Sequence, residues 1–345
     1  MIEHKLSNVL LKPADHLKGH DELYAFCSSP LVYDETAEAL VVGEPTDFMT
    51  FLNACSTGKW AKYCGIHEVT LSLELSGDAC EVVIKGLPAG AAADAESTVE
   101  LDRLAVEPEQ GAHARVSATI DAAGMDLVAF ELLPAGQTLL HAGSYAARVD
   151  EDRVRPVRIA LSTTTFKKEH YIVPNIELMR ASVAEDSGPI HDNFHMFVVD
   201  NGQTLDAEAL SDELVTVIPN ANVGGAGGFA RGMLAALDSK EPFTHVILMD
   251  DDVHVFPESI KRTYNLLALA SDEYADAFVN GAMLSVEQPT RLFEDVSHVL
   301  RSGKYAKLKP DHYVDRLDQV VANERENVEV EHAYGAWWFS CIPMA

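Results

Sequence analysis

The sequence predicts two folds in series: an all-β domain over residues 1–153, a β-sandwich of jelly-roll type, then a mostly parallel α/β domain over residues 154–345. Three observations predict this. From about residue 66 to residue 150 apolar residues recur at every second position. After the charged stretch Asp150-Glu151-Asp152-Arg153, strand-like runs alternate with helical ones. Every candidate polar motif in that second region follows a strand-like run.

The first period is clearest at Val69, Leu71, Leu73 and Leu75, which alternate with Thr70, Ser72, Glu74 and Ser76. Half-buried strands read this way. Gly77-Asp78 turns the chain, and further strands are expected at 80–84, 99–106, 114–120, 127–133 and 138–149. Several short strands at regular spacing make a sandwich. Its role is packing, oligomerisation or carbohydrate binding.

In the second region a strand at 157–161 leads to Thr163-Thr164-Thr165-Phe166-Lys167-Lys168, then to a helix with Ile172, Ile176, Met179 and Val183 on one face. A strand at 195–199 ends in Asp200-Asn201-Gly202, and one at 214–218 ends before Asn220. A helix from Phe229 precedes the strand His245–Met249, and another follows with Ile260, Tyr264 and Leu267 aligned. This alternation predicts a parallel sheet with helices on both faces, which binds ligands outside its carboxyl edge.

Composition narrows the function. The formal charge of −28 argues against nucleic acid, whose phosphates need a basic surface. No apolar run approaches membrane-spanning length, so the chain is expected to be soluble or at most peripheral to a membrane. The N-terminus lacks the features of a secretory signal. Cys27, Cys55, Cys64, Cys80 and Cys341 show no Cys-x-x-Cys pairing and read as reduced thiols in a cytoplasm, including its face along the inner membrane.

Asp250-Asp251-Asp252, at the tip of an apolar strand, carries the most information. Adjacent carboxylates raise one another's pKa and call for a counter-charge. An oxygen-only set suits Mg²⁺ or Mn²⁺, ions that bridge to a diphosphate. The bland alternative is a solvated acidic turn before the helix at Pro257. Gly224, Gly225, Gly227 and Gly228 open a helical segment where free amides attract anions, or else they pack that helix tightly. No Lys-Ser or Lys-Thr follows, so this is no Walker loop, and it is no convincing dinucleotide fingerprint. Lys167, Lys168 and Arg231 are local positive charges that could offset the field, although each alone reads more readily as a solvated surface group than as a phosphate contact. His245, His254, His298 and His332 read as surface or packing residues.

Five segments in order resemble glycosyltransferase family 2, and within it the galactofuranosyltransferases that build bacterial cell-wall galactan. They are Thr164-Thr165-Phe166-Lys167-Lys168, Asn222 to Phe229, Asp250-Asp251-Asp252, Asn280-Gly281-Ala282-Met283-Leu284, and Tyr334-Gly335-Ala336-Trp337-Trp338-Phe339-Ser340-Cys341-Ile342-Pro343. The likeness spans residues 155–345 and extends more weakly to Asn53–Trp60.

The resemblance implies a GT-A fold and a metal-dependent inverting glycosyltransferase that takes a UDP-sugar, galactofuranose above all, to a glycan or glycolipid acceptor. It implies Asp250 and Asp252 at the metal. Thr165, Lys168, Asp200, Asn222, Gly224, Gly225, Asp250 and Asp251 would hold the donor, with Asp200 at the base or ribose. Trp337 and Trp338 would form the acceptor platform. Lys168 stands where these enzymes tend to have arginine, so bidentate contacts are in doubt. Such a protein is expected to form a homo-oligomer and to associate peripherally with a membrane. The acidic base and metal-binding histidine that follow the tryptophan pair in those enzymes would fall beyond Ala345, so the catalytic domain is expected to be truncated and the fragment weakly active. Glu294, Asp295 and Glu331 are the acids left in plausible territory. The alternative of a different class is a non-catalytic glycan-binding or assembly protein with a degraded transferase domain. A nucleotidyltransferase would carry a basic Gly-rich signature that Thr163 to Lys168 lacks.

Overall fold

The computed structural model describes residues 1–184, 186–294, 296–326 and 333–344, with Ala184, Ala333 and Tyr334 as backbone only. Asp295, Glu331 and His332 lie outside the described residues. The chain divides into two compact units. The first holds Met1–Arg153, Leu284–Glu294 and Lys309–Glu329; the second holds Val154–Met283, Asp295–Leu308 and Val330–Ala345. Two segments that the sequence reading assigned to the second domain thus group with the first.

In the first unit the strands are β1 (Ile2–Asn8), β2 (Val32–Asp34), β3 (Ala39–Val42), β4 (Thr46–Asp47), β5 (Glu68–Gly77), β6 (Cys80–Pro88), β7 (Val99–Val106), β8 (Ala114–Asp121), β9 (Met125–Pro134) and β10 (Thr138–Val149), with helix α1 at Thr57–Cys64. They form two antiparallel sheets, β2-β3-β10-β5-β8 with β1 also on β10, and β4-β9-β6-β7. Strand expectations from residue 80 onward hold to within a few residues. Strands β1 to β4 carried too little alternation to be expected. Leu71, Leu73, Leu75 and Val69 are all buried, as the period-two pattern requires. Lys85 on β6 is held among Asp47 and Glu131, at 2.5 and 3.1 Å.

The second unit contains β11 (Ile159–Thr165), α2 (Glu169–Met179), β12 (Phe194–Asp200), α3 (Ala207–Leu210), β13 (Val215–Pro219), α4 (Gly224–Leu237), β14 (His245–Asp250), α5 (Pro257–Leu269) and β15 (Val279–Asn280). Farther along the chain come β16 (Met283–Leu284), β17 (Arg291–Glu294), β18 (Ser297–Val299), β19 (Tyr305–Lys307), β20 (His312–Tyr313), α6 (Leu317–Arg325), β21 (Ala333–Tyr334) and β22 (Ser340–Pro343), of which β17, β20 and α6 belong to the first unit. The main sheet runs β13-β12-β11-β14-β22-β15. Strands β11 to β14 are mutually parallel, and β22 is antiparallel to both of its neighbours.

Alternation along β11 builds two cores. Ile159 and Leu161 face one cluster with Ile172, Ile176 and Met179 of α2 and Ile260, Tyr264 and Leu267 of α5. Ala160 faces the other, with Phe229 and Ala236 of α4, Val246 and Leu248. Helices therefore cover both faces, as expected. Strand β11 does not stop at Leu161. Thr163 to Thr165 continue it because both neighbours pair there, Thr164 with Asp250 and Thr165 with Asp200. Helix α4 likewise starts at Gly224, five residues before Phe229.

All five cysteines are free thiols. Burial pushes Cys64 and Cys341 up to about 12, which keeps them protonated and inert. Among the described residues no helix is long and apolar enough to cross a membrane.

Candidate functional site

The sheet progresses one way from β11 to β13 and resumes on the other side of β11 with β14. Open α/β sheets bind ligands at such a reversal, beyond the strands' carboxyl ends. Thr165, Asp200, Pro219 and Asp250 end the four parallel strands on that edge.

Asp250 closes β14, Asp251 is 6% exposed, and Asp252 is exposed. Lys168, at the start of α2, places Nζ 2.6 Å from Asp252 Oδ2 and 3.4 Å from Asp251 Oδ1. Asp252, before desolvation and Asp251, governs the lysine, whose pKa is raised. Burial, and then the charges of Asp252 and Asp251, push the Asp250 carboxyl above its ordinary range, and Lys168 offsets part of this. Asn175 of α2 fixes the acidic turn, donating Nδ2 to the carbonyls of Asp251 (3.2 Å) and Val253 (3.1 Å).

The oxygen donors suit a hard divalent cation, and an ammonium already occupies part of their field. Yet among the described residues no three His, Cys, Asp or Glu side chains converge on one point. The chemistry of the donor set fits Mg²⁺ or Mn²⁺, while Asp252 is turned toward the lysine.

The glycines of α4 divide into two jobs. Gly224 has φ +76°, and neither it nor Gly225 has any atom within 4 Å of where a Cβ would be. The helix start lacks a side-chain cap at Val223, and Asn222 Oδ1 accepts from the Gly224 amide at 3.1 Å. Further along, a Cβ on Gly228 would overlap Thr164 Oγ1, with Thr164 Cβ at 2.8 Å, and one on Gly232 would overlap Ser162 Oγ. Gly228 and Gly232 therefore serve helix packing on β11, and the first glycines leave an open, anion-attracting helix end.

Asp200 holds its own loop. Its carboxylate is 1% exposed and accepts from the amides of Gly202 (2.9 Å), Thr204 (2.7 Å) and Leu205 (2.8 Å). These bonds hold the loop that follows β12, a structural role beside the expected base or ribose contact. Thr165 is buried and its Oγ1 has no hydrogen-bond partner among the described residues.

Asn201 and Asn175 were not expected. Asn201 Nδ2 donates to Gly224 O (3.1 Å) and its Oδ1 accepts from Asn220 Nδ2 (2.8 Å), so it ties the β12 loop to the start of α4. A polar triplet at a strand end was its signal. Asn175 sits among Ile172, Ile176 and Met179 on the buried face of α2, and an amide at an apolar helix position was the available hint.

The two tryptophans point to opposite sides of the sheet. Trp338 packs against the core beneath α2 and α5. Trp337 is 38% exposed and meets Phe229 of α4 edge to face at 5.1 Å. They lie in a turn, not in an extended strand. Behind them a Cβ on Gly281 would meet the Phe339 ring at 2.7 Å, a Cβ on Gly335 would overlap Asn280, and Ser340 Oγ donates to Asn280 Oδ1 at 2.9 Å. Of the histidines, His245 is buried with Nδ1 beside Thr244 Oγ1 (2.8 Å), and burial lowers its pKa; His254 is exposed and His298 half-buried. Glu294 is buried on β17 in the first unit. Arg231 is exposed on α4.

Residues 162–310 match the family described as Glycosyl transferase family 2. The chain is 25% identical over 378 aligned residues to galactofuranosyltransferase GlfT2 of Mycolicibacterium smegmatis, covering 98% of this chain and 54% of that protein. It is 23% identical to GlfT2 of Mycobacterium tuberculosis, covering 89% and 49%, and 40% identical over 106 residues to GlfT1 of that organism, covering 28% and 33%. The chain thus spans about half the length of the GlfT2 proteins. Among solved structures, a carbohydrate-binding module of Cellvibrio mixtus lichenase 5A aligns with 32% of this chain and 79% of its own at 10% identity, and its TM-score of 0.20 carries no argument. The chain thus matches the glycosyl transferase family 2 description over residues 162–310 and is similar to galactofuranosyltransferases across nearly its whole length.

Proposed function

We propose that this chain is a metal-dependent inverting glycosyltransferase that transfers galactofuranose from a UDP-sugar to a cell-surface glycan or glycolipid. The observation that carries the reading is the acidic turn Asp250-Asp251-Asp252 at the end of β14, beside Lys168 and within the sheet reversal. The choice of sugar rests on the likeness to galactofuranosyltransferases.

In this reading Asp250 and Asp252 hold Mn²⁺ or Mg²⁺, with Asp251 at the donor edge. When bound, the metal supplies Lewis-acid neutralisation of the departing diphosphate. The chain's own groups do the rest. Amides of the first turn of α4 after Gly224 receive phosphate oxygens, and Lys168 adds a mobile positive charge. Thr165 Oγ1, buried and unpartnered, offers the nucleotide a hydrogen bond, and Asn222 lines its pocket. The exposed indole of Trp337 gives a sugar ring an apolar face and an N–H donor. The protein works at the cytoplasmic side of a membrane, peripherally bound and as a homo-oligomer.

Calorimetry of UDP binding with and without Mn²⁺ tests this. Chelator should weaken UDP binding to the unmutated chain, and Asp252→Ala should remove that dependence. Equal UDP affinity with and without chelator would refute the assigned site.

A further inference from the structure

We propose that Lys168 is a built-in counter-ion for the acidic turn: it holds the cation position closed until nucleotide arrives and couples metal binding to donor binding. This rests on the reading of the acidic turn as a metal site and assigns it an order of assembly.

The geometry is specific to this side chain. Lys168 Nζ spans Asp252 Oδ2 at 2.6 Å and Asp251 Oδ1 at 3.4 Å. The adjacent Lys167 has φ +58° and turns away, with its Nζ 5.3 Å from the Phe166 ring centroid. The neighbouring lysine thus leaves the carboxylates alone. Asp252 is turned toward an ammonium, and among the described residues no three His, Cys, Asp or Glu side chains converge on a metal point. A dication that takes Asp252 must therefore detach it from Lys168 and leave the lysine only its longer contact to Asp251, beside a new positive charge. A diphosphate removes that obstacle, because it gives the displaced ammonium, a compact point charge on a flexible stem, an anion within reach of the same backbone position. Metal and UDP then bind with positive coupling, and linkage makes the coupling equal from either side.

Substitution separates this device from a merely solvated lysine. Mn²⁺ affinity is read from the free-ion electron paramagnetic resonance signal in the absence of nucleotide and again at saturating UDP. Lys168→Gln should bind Mn²⁺ tighter than the unmutated chain without UDP. The gain should be roughly fivefold, the upper end of what an exposed pair such as Lys168–Asp252 is worth. At saturating UDP the two should agree, so the factor by which UDP raises Mn²⁺ affinity shrinks by the same amount. Lys168→Arg, which keeps the charge, should retain the unmutated behaviour, and Lys167→Gln should shift apo affinity by less than about twofold, given charge screening at an exposed site. Lys168 is 41% exposed, so its loss is not expected to unfold the chain. Equal or weaker apo Mn²⁺ binding by Lys168→Gln would overturn the counter-ion role while leaving the metal site standing. An equal gain from Lys167→Gln would also overturn it, as a non-specific field effect. Failure of every variant to bind Mn²⁺, with or without UDP, would overturn both this inference and the metal-dependent reading.

Discussion

Replacing Gly228 and Gly225 by alanine should separate the packing and ligand roles of one glycine run. A Cβ on Gly228 would collide with Thr164 Oγ1 and stand 2.8 Å from Thr164 Cβ and 3.0 Å from its Cγ2, all on the central strand β11. Overpacking of this kind costs about 1–3 kcal/mol. Removing a helical glycine returns up to about 1 kcal/mol. The net loss for Gly228→Ala is then about 1–2 kcal/mol, and at roughly 2–4 °C per kcal/mol it lowers Tm by about 2–8 °C. Gly225 meets no atom within 4 Å and needs no positive φ, so Gly225→Ala should hold or slightly raise Tm. It should instead weaken UDP binding in Mn²⁺, by roughly tenfold or about 1.4 kcal/mol if the backbone approaches the diphosphate closely. Scanning fluorimetry and calorimetry on both variants decide the matter. Adding Thr164→Ala to Gly228→Ala removes Oγ1 and Cγ2 from the clash but leaves Cβ, so it should recover part of the loss, and a double-mutant cycle should show coupling. Equal Tm values for the two single variants would refute the packing assignment, and unchanged UDP affinity in Gly225→Ala would refute the anion site.

Two further outcomes are expected. Because burial and neighbouring acids raise the Asp250 pKa in the folded chain, its protonated form is favoured by folding, and that stability is present at low pH and lost as pH rises through the folded value. Asp250→Asn should therefore be more stable than the unmutated chain at pH 7, by about 1 kcal/mol, the scale usual when functional strain is removed. The advantage should fade on acidification; denaturant melts across pH would show the contrary if the two curves run parallel. Asp200→Asn turns an NH₂ toward amides that now donate to a carboxylate, and with loss of charge-assisted bonds it should cost about 2–3 kcal/mol, measured by urea melts. A stable Asp200→Asn with weakened UDP binding would favour the base or ribose contact over the loop role.

The parallel sheet was legible because strand-like and helical runs alternate after residue 154, and the two-sided burial that such a sheet implies is what Ile159, Ala160 and Leu161 show. The extent of β11 was not legible. Three threonines look like a loop until both neighbouring strands are known to pair with them. The acidic turn and Lys168 could each be located in the sequence, but their meeting depends on how α2 starts after β11, which no local pattern encodes. Asp200 shows the reverse limit. An acid at a strand end looks the same whether it waits for a ligand or caps its own loop, and only the positions of the Thr204 and Leu205 amides tell the two apart. The first unit's recruitment of Leu284–Glu294 was beyond reach for the same reason, since it is a long-range choice of neighbours.

The interlock behind the tryptophans ties together two stretches up to 60 residues apart in the chain. Gly281 leaves room for the Phe339 ring, Gly335 leaves room for Asn280, and Asn280 is bonded to Ser340. Neither stretch can drift alone during descent from a common ancestor. A larger residue at 281 survives only where position 339 has shrunk, and a longer side chain at 280 is barred while 335 must stay bare. Among related chains these four positions should change in step, and a recombinant that joined the first stretch from one lineage to the second from another should misfold where either parent folds.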